Sequence, residues 1–164
     1  MIARLRRAAK SGAAELGTQR ALIRPLTASD VDAVLRLDAL TAADYPGDIA
    51  TSHEPLTPAS AAPSERHRAW GAFDSEDELI GMTYMWPGPD VTETDFTVVH
   101  PGWRRRGVAT ALKATAVLAL IDEGHATFRT GGSADNPAII RADLALGYVV
   151  DEHWVTFAPP EGGL

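Results

Sequence analysis

The residues best suited to chemistry lie in one stretch, where three arginines and a glycine follow an apolar run. Residues 97–99 are β-branched and end a predicted strand, which closes at Pro101 because proline cannot donate a ladder hydrogen bond. The turn Arg104–Gly107 comes next, and an apolar segment of helical length begins at Val108. The order strand, basic turn, glycine, helix predicts an anion-binding turn.

The amides of such a turn carry the binding, and the arginine side chains add to it. Amides at the start of a helix have no partner within the helix, and the helix dipole adds roughly half a positive charge there. A pyrophosphate fits this environment. Two other interpretations of the arginines are a solvated surface cluster and a nucleic-acid contact. The chain is acidic and has no further basic stripe, so we expect no nucleic-acid partner.

Composition limits the chemistry that the chain can perform. Its 164 residues suit one domain with a substantial core, and the net charge is −7. The body of the domain is acidic, which favours a cationic or neutral partner over DNA or an anionic membrane. Without cysteine there is no disulfide and no cysteine nucleophile. The five histidines are dispersed, so we predict no metal site.

Hydropathy and charge also suggest where the domain begins and ends. No apolar run is long enough to span a bilayer, so we expect no membrane partner and a cytoplasmic location. Residues 1–20 are basic, and we interpret them as an arm outside the domain, with a targeting segment as the alternative. The single domain is predicted over 21–157, and 158–164 is a tail.

The predicted elements alternate between strands and helices in a mixed order. We predict strands at 21–26, 68–73, 79–86, 91–99, 125–130, 148–150 and 153–157, and helices from 31, over 108–123 and from 137. On the fourth strand, Glu93, Asp95 and Thr97 should share one face, opposite Thr94 and Phe96. This order predicts an α+β fold with one mixed, partly antiparallel central sheet flanked by helices.

The interval 41–68 lacks periodicity and is rich in proline, so it should form a lid or wall of a binding site. Its polar side chains are candidate contacts with an acceptor, although solvated loop positions remain the alternative. These candidates are Asp44, Tyr45, His53, Glu54 and His67.

The turn also carries a family signature. Arg104-Arg105-Arg106-Gly107-Val108-Ala109 reads [Gln/Arg]-x-x-Gly-x-[Gly/Ala], and with its neighbouring elements it resembles the acyl-CoA segment of the GNAT superfamily of N-acetyltransferases. The resemblance covers about residues 21–157. It implies a sheet splayed between strands 4 and 5, and acetyl-CoA as co-substrate without a metal. The implied cofactor-binding residues are Thr97, Val98, Val99, Arg104, Arg105, Arg106, Gly107, Val108, Ala109, Thr110 and Asn136.

In that family a strand amide at Val99 or its neighbour would polarise the thioester carbonyl. The attacking ammonium must also lose a proton, and acids on the fourth strand are the natural bases. Glu93 is preferred slightly over Asp95, with solvent-facing acids as the alternative interpretation. These residues set the candidate catalytic site on the fourth strand.

The segment from Asn136 to Tyr148 resembles the family's Asn-x₁₀-Gly-[Phe/Tyr] pattern. Asn136 would touch the pantetheine arm, cap a helix, or do both. Many members carry a tyrosine seven residues later as the acid for the thiolate, but here that position is Asp143. Either burial raises the pKa of Asp143, or water protonates the thiolate, or turnover is slow.

The resulting prediction is an acyltransferase, an acetyl-CoA-dependent N-acetyltransferase in which a primary amine attacks directly in a ternary complex. The amine acceptor is a small molecule or a peptide, and a homodimer is left open. The alternative function is a CoA-binding regulatory module with little or no turnover, which Asp143 favours.

Overall fold

A computed structural model describes residues 2–14, 21–44 and 54–155. One sheet has the strand order β1-β2-β3-β4-β5. Neighbouring strands among the first four pair antiparallel, and β5 pairs parallel with β4. The strands are β1 (Leu22–Pro25), β2 (Arg68–Phe73), β3 (Leu79–Pro87), β4 (Thr92–Val99) and β5 (Phe128–Arg129). This mixed sheet confirms the predicted fold class.

Helices cover both faces of the sheet. On one face, α2 (Val31–Thr41) and the single turn α3 (Pro58–Ala61) enclose a core that includes Tyr84 and Phe96. On the other face, α4 (Val108–Asp122) lies against a second core that includes Trp70 and Met85. Helix α5 (Pro137–Leu146) packs beside α4. We call these two sides the α2 face and the α4 face.

The N-terminal residues were expected outside the domain, and this expectation is wrong for the part that the structure describes. Helix α1 (Ile2–Ala14) packs against α4. Leu5 is 1% exposed within the core of the α4 face, and Ala8 and Ala9 pack beside it. The side of α1 that faces α4 carries one leucine and small alanines, so the two helices approach each other closely. The opposite side of α1 is basic. Residues 15–20 lie outside the described residues.

The C-terminal strands were also predicted wrongly. Residues 148–150 and 153–155 form no strand, and Val149 and Trp154 are 80% and 88% exposed. Strand propensity needs a neighbour with which to pair, and β5 contributes only two ladder residues. Residues 156–157 and the predicted tail 158–164 lie outside the described residues, as do Tyr45 and His53.

A β-bulge in β4 determines which side chains share a face. Tyr84 pairs with Phe96 but Met85 pairs with Thr94, so Asp95 is an extra residue without a partner in β3. The predicted alternation is therefore wrong beyond this point. Glu93 lies on the α2 face with Phe96, whereas Thr97, paired with Thr83, lies on the α4 face.

Strands β4 and β5 separate soon after they meet, as predicted. Only Thr92 and Glu93 have partners in β5. From Thr94 to Val99, the edge of β4 that points away from β3 has no strand beside it within the described residues. We call this stretch the open edge.

Among the described residues, no helix has the length and apolar character needed to cross a bilayer. Within the same residues, no three or more potential metal-binding side chains lie close enough together to hold an ion.

The entry to α2 gives a prediction about acid stability. Arg24 donates to both carboxylate oxygens of Asp30, at 2.9 and 2.8 Å, and the Thr27 amide donates at 2.8 Å. The hydrogen bonds from Arg24 lower the pKa of Asp30 to about 2, although burial opposes the shift. The carboxylate therefore stabilises the fold fully above about pH 4, and this contribution is lost as the pH falls towards 2.

We expect Asp30→Asn to lower the free energy of unfolding by about 2 kcal/mol at pH 6 and by much less near pH 2. Urea unfolding of the variant and of the parent at both pH values measures this difference. Asp32→Asn, at an exposed position in the same helix, is the control and should change stability by less than about 1 kcal/mol. A deficit that is equal at both pH values would contradict the assignment.

Candidate active site

The chain turns sharply between β4 and α4. A short 3₁₀ turn, Pro101–Trp103, follows the strand, and Nδ1 of His100 accepts a hydrogen bond from the Gly102 amide at 3.1 Å. The turn Arg104–Gly107 then leads into α4. Gly107 has φ +80°, which disfavours residues with a side chain, and Arg105 has φ +62°. The glycine therefore makes this abrupt entry to the helix possible.

The amides at this entry are free for a ligand. The first hydrogen bond of α4 runs from the Ala111 amide to the Gly107 carbonyl at 2.9 Å. Within the described residues, nothing accepts a hydrogen bond from the amides of 106–110. A Cβ built on Gly107 would meet no atom within 4 Å, so the space beside Gly107 is open. Free amides, a helix N-terminus and open space fit the pyrophosphate of CoA. We call residues 104–110 the cradle.

The three arginine side chains of the cradle make different contacts. Arg104 donates to the Val99 carbonyl at 3.0 Å and forms an ion pair with Asp44. This pair joins the end of β4 to the residues after α2, and Asp44 is thereby engaged by the protein itself. The Arg106 guanidinium lies 5.1 Å from the ring of Trp103, and Arg105 is exposed. The turn therefore offers charge around the amides without filling the space before them.

The open edge of β4 presents backbone groups that point away from β3. The His100 amide donates to the Ile80 carbonyl of β3 at 2.9 Å. Because successive amides in a strand point to opposite sides, those of Val99 and Thr97 point away from β3, to the open edge. The amide of Val98 points towards β3, and its side chain is buried on the α2 face. The predicted pairing of Thr97, Val98 and Val99 with pantetheine stays a prediction, and the backbone orientation favours Thr97 and Val99.

A polar cluster lies where β4 and β5 separate. Lys113 of α4 is 1% exposed; it forms an ion pair with Asp143 of α5 and donates to Oγ1 of Thr130 at 2.9 Å. Burial raises the pKa of Asp143 and lowers that of Lys113, while their contact opposes both shifts. Burial raises the pKa of Tyr148 to about 12, and an interaction with the side chain of Thr94 opposes this shift.

Asp143 is therefore held by Lys113 inside the protein. The carboxyl group has the raised pKa that one sequence interpretation required, but it does not face open space. Sequence reasoning missed Lys113 as its partner. The available signal was a single lysine within an otherwise apolar helix.

The acids of β4 lie on the α2 face. Glu93 is exposed and pairs in register with Trp86, which is 45% exposed. Oδ2 of Asp95 lies at hydrogen-bond distance, 2.8 Å, from Nε2 of His67. His67 was predicted as a candidate contact with the acceptor, but its bond to Asp95 was not. No sequence spacing indicated that bond, because the residues are distant in the chain.

Asn136 lies at the start of α5. Its side-chain oxygen accepts a hydrogen bond from the Ile139 amide at 3.3 Å, which confirms the predicted helix cap. The predicted contact with pantetheine stays a prediction. Glu54, a predicted candidate contact with the acceptor, is exposed and directly follows residues 45–53, which lie outside the described residues.

The sheet thus opens along β4 directly beside the free amides of the cradle. The model of the acetyltransferase (GNAT) family matches residues 35–148. The chain belongs to this family of acyltransferases, as the sequence predicted.

Solved structures support the same fold. The aminoglycoside antibiotic 6'-N-acetyltransferase AAC(6')-Ih from Acinetobacter baumannii is 20% identical, with a TM-score of 0.63 over 87% of this chain and 99% of that chain. AAC(6')-Iy, in complex with a bisubstrate analogue of CoA and acetylneamine, is 18% identical, with a TM-score of 0.67 over 86% and 99%.

The ribosomal-protein-S18-alanine N-acetyltransferase from Escherichia coli is 19% identical, with a TM-score of 0.63 over 77% of this chain and 76% of that chain. At these identities the similarity shows the fold alone. No curated protein sequence matches the chain significantly.

Proposed function

We propose that this protein is an acetyl-CoA-dependent N-acetyltransferase in which a primary amine attacks the thioester directly in a ternary complex. The observation that carries the proposal is the continuity of the open edge with the cradle. Unpaired amides at Thr97 and Val99 lead directly to the free amides of 106–110. This layout suits a ligand with an extended amide arm and a diphosphate.

The cradle binds the pyrophosphate through the amides of Arg106, Gly107, Val108, Ala109 and Thr110, with Arg104 and Arg105 supplying positive charge nearby. Thr97 and Val99 bind the pantetheine arm through their backbone groups, and Asn136 approaches it from the start of α5. An amide of the open edge polarises the thioester carbonyl, because such a hydrogen bond strengthens as negative charge develops on the oxygen.

Direct attack is supported by composition, because a chain without cysteine cannot form an acyl-cysteine intermediate. Glu93, exposed on the α2 face, binds the ammonium group of the acceptor there. Asp143 is no longer the favoured proton donor, since burial against Lys113 separates it from open space. We instead assign protonation of the thiolate to water.

The acceptor is a cationic amine, small or peptidic. The acidic side chains of the α2 face favour a positively charged partner. An aminoglycoside antibiotic and an alanine of ribosomal protein S18 are the acceptors named for structures with this fold. A cytoplasmic location, the homodimer and the domain limit at 157 stay predictions from the sequence.

A CoA-binding regulatory module is the second candidate. The family resemblance places a tyrosine that acts as general acid at the position of Asp143, but here Asp143 forms an ion pair with Lys113. Thiol release from acetyl-CoA, measured with neamine, sisomicin and an alanine-initiated peptide, separates the two functions when combined with calorimetric binding of CoA. We expect release with at least one amine. Tight CoA binding without release for every amine would replace the enzyme by the regulatory module.

A further inference from the structure

We propose that His67 and Asp95 form a proton-accepting dyad on the α2 face, which takes the proton from the ammonium group of the acceptor. This inference rests on the proposed function and names the residues that prepare the nucleophile. The dyad joins two distant segments, the residues before β2 and the bulge of β4.

The geometry of the pair suits a base and its positioning carboxylate. Nε2 of His67 lies 2.8 Å from Oδ2 of Asp95. A carboxylate accepts hydrogen bonds, so in the neutral pair Nε2 carries the proton and Nδ1 carries the lone pair. Nδ1 has no hydrogen-bond partner in the described residues, and it is not among their buried unpartnered atoms. The basic nitrogen therefore remains available to solvent or substrate.

Aromatic neighbours hold the imidazole in place. The ring of Trp86 stacks on His67 with centroids 3.9 Å apart and an interplanar angle of 12°. Tyr84 contacts His67 at 4.7 Å between centroids. His67 is 8% exposed, so it has little rotational freedom. A stacked indole also stabilises the imidazolium that forms when the base is protonated.

The bulge explains why Asp95 is available for this role. An extra residue in a strand re-aims its side chain, and Asp95 points to the α2 face, where it meets His67. Its side chain is 32% exposed. Asp95 lies two residues before Thr97, which is roughly 7 Å along the strand. The dyad therefore lies close to the Thr97 amide, and one water can connect His67 to an amine that attacks a thioester there.

The charged groups around the dyad come from several elements. Strand β4 contributes Glu93, and Arg66 lies in the segment just before His67. Tyr84 of β3 donates its hydroxyl hydrogen bond to the Ala61 carbonyl at 2.7 Å, and burial raises its pKa, so it stays neutral. Asp38 of α2 contributes a negative charge near Tyr84. Negative charges on this face favour a bound ammonium group.

The ammonium group gives one proton to Nδ1 of His67, and Asp95 stabilises the resulting imidazolium. The neutral amine attacks the thioester carbonyl carbon, so a C–N bond forms and the C–S bond breaks. The thiolate leaves with the electron pair and takes the second proton of the nitrogen through water. His67 then releases its proton to solvent, and the products are the acetamide and free CoA.

Steady-state kinetics with the amines named above test the dyad in the full chain. We expect His67→Gln to lower kcat at least about a hundredfold, and Asp95→Asn at least about tenfold, with KM for acetyl-CoA little changed.

Glu76→Gln, an exposed acid in the β2–β3 turn, is the matched control and should keep parental kinetics. If His67→Gln fails to fold, Asp95→Asn decides alone, since that side chain is partly exposed. Parental kcat in the folded variants would overturn the dyad while the proposed function stands. CoA binding by the parent without thiol release for any amine would overturn both.

Discussion

Replacing Gly107 by glutamate is expected to abolish CoA binding while the protein still folds. Gly107 has φ +80°, and a Cβ there would point into open space in front of the cradle amides. The new carboxylate would occupy the position of the pyrophosphate and repel it, and adjacent like charges cost several kcal/mol in binding. We expect CoA affinity measured by calorimetry to fall at least about a hundredfold, or about 2.7 kcal/mol.

Gly124→Glu is the matched control for this substitution. Gly124 follows the other end of α4, has φ +103°, and would also place a Cβ in open space. It therefore introduces the same charge and a similar backbone strain of roughly 1–2 kcal/mol, away from the cradle. We expect Gly124→Glu to bind CoA normally. If Gly107→Glu also binds normally, the pyrophosphate does not lie at the cradle, and the proposed function loses its main support.

The cradle could be predicted from the sequence because local chemistry determines it. Pro101 ends a strand, and Gly107 permits the left-handed backbone at the entry to α4. Each depends on residues adjacent in the chain. The same holds for Asn136, whose capping bond spans only three residues.

Features that depend on pairing between distant segments could not be predicted in this way. The bulge at Asp95 arises in the register between β3 and β4, and it reverses the faces that strict alternation assigns. The pairing of His67 with Asp95 depends on that bulge. The strands predicted after Gly147 do not form, for a related reason. β-Branched residues favour an extended backbone, but β5 is too short to pair with them.

Hydrophobic patterning also misjudged the N-terminal helix. Its composition is basic and rich in alanine, which suggested an arm outside the domain. One leucine was sufficient to anchor it, because Leu5 and the small alanines beside it fit against α4. A narrow apolar stripe is a weak signal in a sequence, whereas its burial in the structure is unambiguous.

Replacing Lys113 by methionine is expected to lower the free energy of unfolding by about 3–5 kcal/mol, the usual effect of leaving one partner of a buried ion pair alone. Lys113 and Asp143 are 1% and 6% exposed, and they join α4 to α5. Methionine keeps the length of the side chain, so packing changes little while the charge is lost. Chemical denaturation of the parent and the variant measures the difference.

The double variant Lys113→Met/Asp143→Leu distinguishes electrostatics from packing. It removes both charges, and replacing a buried ion pair by apolar residues is often neutral or stabilising. We expect the double variant to recover most of the stability that either single variant loses, which is a coupling of several kcal/mol in a double-mutant cycle. Additive losses would show that each side chain acts through its own packing. Thiol release by a stable double variant would further show that turnover does not require the Asp143 carboxyl group, as expected if water protonates the thiolate.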